Sequence, residues 1–274
     1  MSAIPFFIVS SGRSGTAMLQ KSLSGVSGVE MHHEYMVQII QPLAVRRYLG
    51  LVDDAECRRI IDETYGAAIR CTDARAWGDS SNKVSWLIPD LAAALPEARF
   101  VHLVRDGRKV ASSYFHKLGD ECYDSRSNTI MQAHYDGTVP PPPPEKKYWW
   151  PVPRKNDPDA APFRGFDQFE RIAWHWATIN GVILEELAKL AANRTLFVKL
   201  EELRSVPSQV RSLYDFLGLS YRDTHFAQFA RPHNVNKPED RLLTAGQTAQ
   251  FEAIAGRMMD RLGYAGAAEY VVNY

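Results

Sequence analysis

Residues 4–16 read Ile-Pro-Phe-Phe-Ile-Val-Ser-Ser-Gly-Arg-Ser-Gly-Thr, and this stretch carries the strongest structural signal in the chain. Its first six residues are continuously apolar, which is typical of a strand buried on both faces of a parallel sheet. Beyond the turn, Met18, Leu19 and Leu23 follow helical spacing until Gly25 ends the pattern. The stretch therefore predicts a strand, a glycine- and serine-rich turn and a helix.

The same alternation returns twice further along the chain. Two more apolar strands are predicted, over 99–104 and 195–200, and each lies between helical patterns. These helical patterns cover 87–95, 108–114, 169–190 and 206–217. Because helices alternate with apolar strands, we expect an α/β fold of three layers, with a central parallel sheet flanked by helices on both faces.

The charge balance limits the classes of ligand. The 274 residues include 32 Lys+Arg and 32 Asp+Glu, so the formal net charge is zero. A protein that binds nucleic acid without sequence preference needs a large basic surface, which a neutral chain does not favour. We therefore expect no nucleic-acid partner, although a local basic cluster could still hold a small anion.

The cysteines and the apolar runs indicate a cytoplasmic protein. Cys57, Cys71 and Cys122 are widely spaced and lack zinc-ligand spacing, which predicts free thiols in a reducing compartment. The apolar run over 4–9 is too short for a signal peptide and has no basic residues before it. No stretch approaches the roughly 18 apolar residues of a membrane span.

The turn at 10–16 has the composition of an anion cradle. Glycines let backbone N–H groups approach an anion, and the N-terminus of the next helix adds the positive end of its dipole. Ser14 and Thr16 offer hydroxyl donors, and Arg13 offers a charged fork. The glycine spacing matches neither the Gly-x-x-x-x-Gly-Lys-Ser/Thr loop nor the Gly-x-Gly-x-x-Gly pattern. The turn predicts a phosphate or sulfate site without the magnesium–triphosphate apparatus.

A second arginine follows the strand predicted over 99–104. Arg105 stands at the end of that strand, and Ser113 lies further on, inside the next helix. A strand-end arginine and a helix hydroxyl can converge on one phosphate. The alternative is a surface ion pair of Arg105 with Asp106 or Glu97.

Together, these two motifs resemble the sulfotransferases that use 3′-phosphoadenosine 5′-phosphosulfate (PAPS). In that family a Pro-Lys/Arg-Ser-Gly-Thr loop holds the 5′-phosphosulfate, and an arginine and a serine spaced as here hold the 3′-phosphate. Further similarity lies at 92–106, 174–180, 198–207 and 231–235. The resemblance implies a P-loop-like fold and a single sulfotransferase domain over 1–274, with a private insertion at about 120–165.

The resemblance also implies which residues bind the donor. The implied set is Gly12, Arg13, Ser14, Gly15, Thr16 and Ala17 for the 5′-phosphosulfate, Arg105 and Ser113 for the 3′-phosphate, and Arg231 and Asn234 for the phosphates or the sulfuryl group. Many members have Pro in place of Gly12 and Thr in place of Ala17. Arg13 replaces the lysine of the cytosolic branch and is similar to the Golgi and bacterial branches. The scheme implies no metal.

Family members deprotonate the acceptor with a His or a Glu, and the resemblance implies Glu34. It stands in the run 30–35, Glu-Met-His-His-Glu-Tyr, after the first helix. His33 is the alternative base, since an imidazole titrates ordinarily near pH ~6.5. The run could instead be a solvated polar turn, or His32 and His33 could bind a metal. Lys83 is implied to stabilise the sulfuryl oxygens, or else it is an exposed lysine.

The segment 136–165 has an unusual composition. Five prolines at 140–144 exclude a helix or a central strand, and Tyr-Trp-Trp follows at 148–150. The segment is either a surface linker or an ordered lid. An aromatic cluster is costly to leave in water, so we expect at least part of it to pack. The aromatic residues suit an apolar acceptor or a sugar ring.

The sequence therefore predicts transfer of a sulfuryl group from PAPS to a hydroxyl or amine. A small-molecule or carbohydrate acceptor is favoured over a protein tyrosine. Two alternatives remain open: a nucleotide or small-molecule kinase with a variant phosphate loop, and a nucleotide-binding relative without catalysis. The chain lacks the Gly-Lys of the kinase loop, which argues against the first alternative. An activity assay decides the second.

Overall fold

The computed structural model describes residues 3–230 and 242–268. Its strands form one five-stranded parallel sheet in the order β2-β3-β1-β4-β5. The strands are β1 Ile4–Val9, β2 Val29–His33, β3 Ala76–Ser80, β4 Arg99–Val104 and β5 Thr195–Lys199. The predicted α/β class is confirmed.

Helices cover both faces of the sheet. They are α1 Thr16–Ser24, α2 Val37–Tyr48, α3 Asp54–Ile61, α4 Ala67–Cys71, α5 Ile88–Ala94, α6 Gly107–Lys117, α7 Ser125–Tyr135, α8 Ala160–Phe163, α9 Gln168–Leu187, α10 Leu200–Ser205, α11 Pro207–Leu217, α12 Asp223–Ala230 and α13 Ala245–Arg261. A π-helical turn covers Asp62–Gly66, and 3₁₀ turns cover Val84–Trp86, Lys146–Tyr148 and Ala192–Arg194. No helix in the described ranges combines the length and apolarity needed to cross a bilayer.

The strands predicted from apolar runs are confirmed as β1, β4 and β5. The two strands on the other side of β1 have no such run. The sequence of β2 is Val-Glu-Met-His-His, and that of β3 is Ala-Trp-Gly-Asp-Ser. The run at 30–35, for which a polar turn was one interpretation, thus lies mostly within an edge strand.

Two apolar cores hold the layers together, one on each face of the sheet. Phe7 and Val9 face one core with α2, α5, α6, α9 and α13, whereas Phe6 and Ile8 face the other with α1, α10, α11 and α12. This alternation follows from the two-residue period of a strand. Both faces of β1 are therefore closed to solvent from Pro5 to Val9.

The carboxyl ends of four strands meet at one edge of the sheet. β1 has β3 on one side and β4 on the other: the chain builds β2 and β3 on one side of β1 and then crosses to β4 and β5 on the other side. Open α/β sheets bind ligands in the crevice at such a reversal. Arg13, Glu34, Lys83 and Arg105 all lie in segments that begin where a strand ends.

The proline- and tryptophan-rich segment packs against the body of the protein. Trp149 and Trp150 are buried, which confirms the expectation that part of the aromatic cluster packs. Gln41 of α2 donates from Nε2 to the carbonyl oxygens of Lys146 (3.0 Å) and Trp149 (2.7 Å). Trp149 donates in turn to the carbonyl of Pro143 at 2.7 Å. These contacts fix the path of the chain beside α2.

Candidate active site

The loop between β1 and α1 is folded tightly against its neighbours. Gly12, Arg13 and Gly15 have φ of 80°, 52° and 97°, in the left-handed region that favours glycine. A Cβ on Gly12 would lie 2.0 Å from Oη of Tyr114, and one on Gly15 would lie 2.7 Å from Cδ1 of Leu200. Glycine is required at both positions because a neighbouring side chain fills the space.

Serine hydroxyls of the loop itself and of the neighbouring Ser85 fix the shape of the loop. Ser10 accepts from the backbone N–H of Gly12 at 3.0 Å, and Ser14 donates to the carbonyl of Gly12 at 3.0 Å. Ser85 donates to the carbonyl of Ser10, also at 3.0 Å. The Ser14 hydroxyl, expected to donate to an anion, thus bonds within the loop. Gly15 caps α1 without a side-chain hydrogen bond, so the first backbone N–H groups of α1 are available to an anion.

Three of the predicted anion-binding residues lie together. Arg13 donates from Nε to Oγ of Ser113 at 3.0 Å, and Arg105 donates from Nη1 to the carbonyl of Arg13 at 3.0 Å. The neighbouring Asp106 forms an ion pair with Arg108 at 2.7 Å and caps α6. Two guanidinium groups and a hydroxyl therefore converge at the ends of β1 and β4, where they could bind phosphate groups.

Glu34 lies between two lysines. Nζ of Lys83 is 2.9 Å from Oε1 of Glu34, and Lys146 contacts Oε2. Burial alone would raise the pKa of Glu34, but Lys83 and Lys146 together lower it to about 2. Burial lowers the pKa of the Lys83 ammonium, against the opposing effect of Glu34. The carboxylate is ionised at neutral pH, as a proton acceptor must be.

His33 follows a different arrangement on β2. Its Nδ1 lies 2.7 Å from the carbonyl oxygen of Ser80. Since a carbonyl can only accept, Nδ1 carries the proton, and Nε2 of the neutral ring is left as an acceptor. His32 instead bonds to Glu30 at 2.8 Å and packs on Trp77. The two rings point to different partners, so they do not form a shared ligand pair. Within the described residues, no cluster of three or more His, Cys, Asp or Glu could hold a metal.

A chain of hydrogen bonds joins the two halves of the site. Lys83 donates to Oδ1 of Asn82 at 2.7 Å, and Asn82 donates from Nδ2 to Oη of Tyr114 at 3.3 Å. Tyr114 donates to the carbonyl of Ser11 at 2.9 Å. The sequence pattern did not indicate Asn82 or Tyr114 as site residues. Asn82 directly precedes Lys83, and Tyr114 directly follows Ser113, so adjacency to a predicted site residue was the available signal.

The backbone after β2 is held in an unusual conformation. Glu34 and Met36 have φ of 57° and 46°, which is rare for residues with a side chain. The buried Asp79 accepts from the backbone N–H of Tyr35 at 3.2 Å and from the Tyr65 hydroxyl at 3.0 Å. Burial raises the pKa of Asp79. Asp79 thus helps to hold the turn that presents Glu34, a role that the sequence pattern did not indicate.

Two predicted donor-binding residues remain without a structural test. Arg231 and Asn234 lie outside the described residues. Of the other predicted positions, Thr16 is buried and Ala17 is exposed at the start of α1.

Residues 5–139 match the sulfotransferase family. Among solved structures, a sulfotransferase from Alicyclobacillus acidocaldarius is similar, with a TM-score of 0.54 and 15% identity over 97% of this chain and 96% of that one. The sulfotransferase domain from the curacin biosynthetic pathway has a TM-score of 0.52 and 14% identity over 94% and 98%. The sulfotransferase domain of the Synechococcus PCC 7002 olefin synthase has a TM-score of 0.51 and 17% identity over 98% and 97%. At these identities the structures establish a shared fold. No curated protein sequence matches the chain.

Proposed function

We propose that this chain, whose residues 5–139 match the sulfotransferase family, transfers a sulfuryl group from PAPS to a hydroxyl or amine of a small-molecule or carbohydrate acceptor. A protein tyrosine is a less favoured acceptor. The cluster of Arg13, Arg105 and Ser113 is the observation that carries this proposal. It supplies two cations at the sheet edge where the family motifs predict a doubly phosphorylated nucleotide. The free cysteines, two of them buried, suit a cytoplasmic setting.

The donor is bound at two points in this proposal. The 5′-phosphosulfate lies against the 12–17 loop and the start of α1, where backbone N–H groups and the helix dipole favour an anion. The 3′-phosphate contacts Arg105 and Ser113. Because Nε of Arg13 already donates to Ser113, the Arg13 guanidinium can stabilise negative charge on either phosphate.

The reaction is an in-line displacement at sulfur. The acceptor oxygen bonds to sulfur as the bond from sulfur to the 5′-phosphate oxygen breaks, and the leaving phosphate gains negative charge. Arg13 and the N–H groups of α1 stabilise that charge, and Lys83 stabilises the sulfuryl oxygens. Such transfers depend mainly on positioning and on charge stabilisation.

In this scheme Glu34 takes the proton from the hydroxyl or amine of the acceptor. Its carboxylate contacts Lys83. Hydrogen bonds through Asn82 and Tyr114 then connect Lys83 to the loop at 10–16, which is proposed to bind the donor. His33 remains the alternative base, because its Nε2 can accept a proton while Nδ1 is held by Ser80. The Glu34 assignment is favoured since its carboxylate adjoins the lysine proposed to touch the sulfuryl group.

Crystals soaked with adenosine 3′,5′-bisphosphate (PAP) test the proposal. We expect the 5′-phosphate on the 12–17 loop and the 3′-phosphate within hydrogen-bond distance of Arg105 and Ser113. Calorimetric titration with PAP and with ATP separates the enzyme from a kinase, which would prefer ATP. Release of PAP from PAPS in an acceptor screen separates it from a relative without turnover. Adenosine density away from this edge would refute the donor site.

A further inference from the structure

The segment 139–150 brings a charged side chain to the proposed base. Lys146 lies in the 3₁₀ turn, and its ammonium group contacts Oε2 of Glu34, a residue 112 positions earlier in the chain. The Lys146 carbonyl accepts from Gln41 at 3.0 Å, and the Trp149 carbonyl accepts from the same amide at 2.7 Å. The backbone that carries Lys146 is therefore anchored on both sides of the turn.

The end of this segment packs under the site. Trp150 is buried, and Nζ of Lys83 lies 5.4 Å from the centroid of its ring. The ring also makes an edge contact with Tyr114, at 5.6 Å between centroids. Tyr114 bonds to the donor loop at Ser11. The segment thus contacts Lys83, the partner of Glu34, and through Tyr114 it also reaches the loop at 10–16.

The charges around Glu34 are unequal. One carboxylate meets two ammonium groups, so the group of three carries a net positive charge. The side chain of Lys83 is 9% exposed, whereas that of Lys146 is 44% exposed. Lys83 is the inner partner and Lys146 is the outer one. An incoming acceptor can therefore displace Lys146 without disturbing Lys83.

We propose that Lys146 is a positioning residue that acts through Glu34: it occupies the outer oxygen of the carboxylate until an acceptor displaces it, and so withholds the base from water. The inference rests on the proposed role of Glu34. The reaction that it suppresses is donor hydrolysis. In that step a water oxygen bonds to sulfur, the bond from sulfur to the 5′-phosphate oxygen breaks, and Glu34 takes a proton from the water. The products are sulfate and PAP.

Acceptor-free hydrolysis of PAPS tests the inference, with PAP release measured by chromatography. We expect Lys146→Met to raise the hydrolysis rate about tenfold, a fraction of the roughly 10²–10⁴-fold that a positioned base contributes. Lys146→Arg should stay near the wild-type rate because it keeps the charge. Lys147→Met is the matched control, since Lys147 is adjacent and lies 5.0 Å from the Tyr148 ring centroid. The double variant Lys146→Met/Glu34→Gln should lose the increase.

Each of three results would overturn the inference: an unchanged rate in Lys146→Met, an equal rise in Lys147→Met, or a rise that survives Glu34→Gln. Calorimetric titration of every variant with PAP shows that the donor site is intact. If the wild type fails to bind PAP, the proposed function itself fails. If PAP binding is normal and hydrolysis does not rise, only the role of Lys146 is wrong.

Discussion

Two parts of the site are built in different ways: the loop at 10–16, which is proposed to bind the donor, and the acceptor side, which is the group of Glu34, Lys83 and Lys146. Part of the shape of the loop at 10–16 comes from contacts among near neighbours, such as the Ser10 and Ser14 hydroxyls bonded to Gly12. Ser85, Tyr114 and Arg105 also bond to its backbone from further along the chain. On the acceptor side, by contrast, Glu34, Lys83 and Lys146 come from three distant parts of the chain. A local motif can be kept while the more distant segments around it change.

Replacing Arg13 should have the largest effect, and it probes the donor side. We expect Arg13→Ala to lower kcat by roughly 10²–10³-fold, because the lost guanidinium would face charge that grows in the transition state. The donor KM should change much less. Steady-state kinetics at saturating acceptor measure both quantities, with Arg13→Lys as the charge-retaining control.

An unchanged kcat with a raised donor KM would instead assign Arg13 to ground-state binding.

Replacing Glu34 should have the next largest effect, and it probes the acceptor side. We expect Glu34→Gln to lower kcat about 10²-fold with donor binding retained, because the amide cannot take a proton at neutral pH. In the free enzyme, a carboxylate with a pKa of about 2 stays ionised as the pH falls, so Glu34 should cause no loss of kcat/KM for the acceptor between pH ~7 and ~4. Measuring kcat/KM against pH in the wild type, Glu34→Gln and His33→Asn separates the two bases.

An acid limb that disappears in His33→Asn, together with an active Glu34→Gln, would transfer the role to His33.

The same contrast explains which features the sequence could predict. β1, β4 and β5 are apolar runs, and the spacing of Arg105 and Ser113 follows from a strand end and a helix. β2 and β3 were missed because polar residues of the site replace the apolar ones. The contact of Lys146 with Glu34 spans 112 positions and depends on how the segment 139–150 folds back, which no local pattern encodes.

Replacing Ser113 should have a smaller effect, confined to the donor side. Its hydroxyl accepts from Arg13 at 3.0 Å and is proposed to contact the 3′-phosphate. A hydrogen bond to a charged group contributes about 1.5–3 kcal/mol, so Ser113→Ala should weaken PAP binding by roughly tenfold or more. Turnover at saturating PAPS should fall little. Ser112→Ala, on the same helix, is the control.

Equal affinities of Ser113→Ala and the wild type for PAP would remove Ser113 from the donor site, whereas a matching loss of affinity in Ser112→Ala would point to damage of α6.

Replacing Gly12 should change stability, and it tests how closely the loop is fitted. Gly12 and Gly50 have φ of 80° and 73°, so alanine at either position is strained by about 1–2 kcal/mol. A Cβ on Gly50 would meet nothing within 4 Å, but one on Gly12 would lie 2.0 Å from Oη of Tyr114. Overpacking costs typically about 1–3 kcal/mol, so Gly12→Ala should lower the free energy of unfolding by that much more than Gly50→Ala. Urea unfolding measures the difference.

Gly12→Ala combined with Tyr114→Phe should recover part of the lost free energy of unfolding, because the hydroxyl that clashes is gone. If the two single variants are equally stable, backbone strain alone accounts for both, and the contact with Tyr114 does not fix the loop.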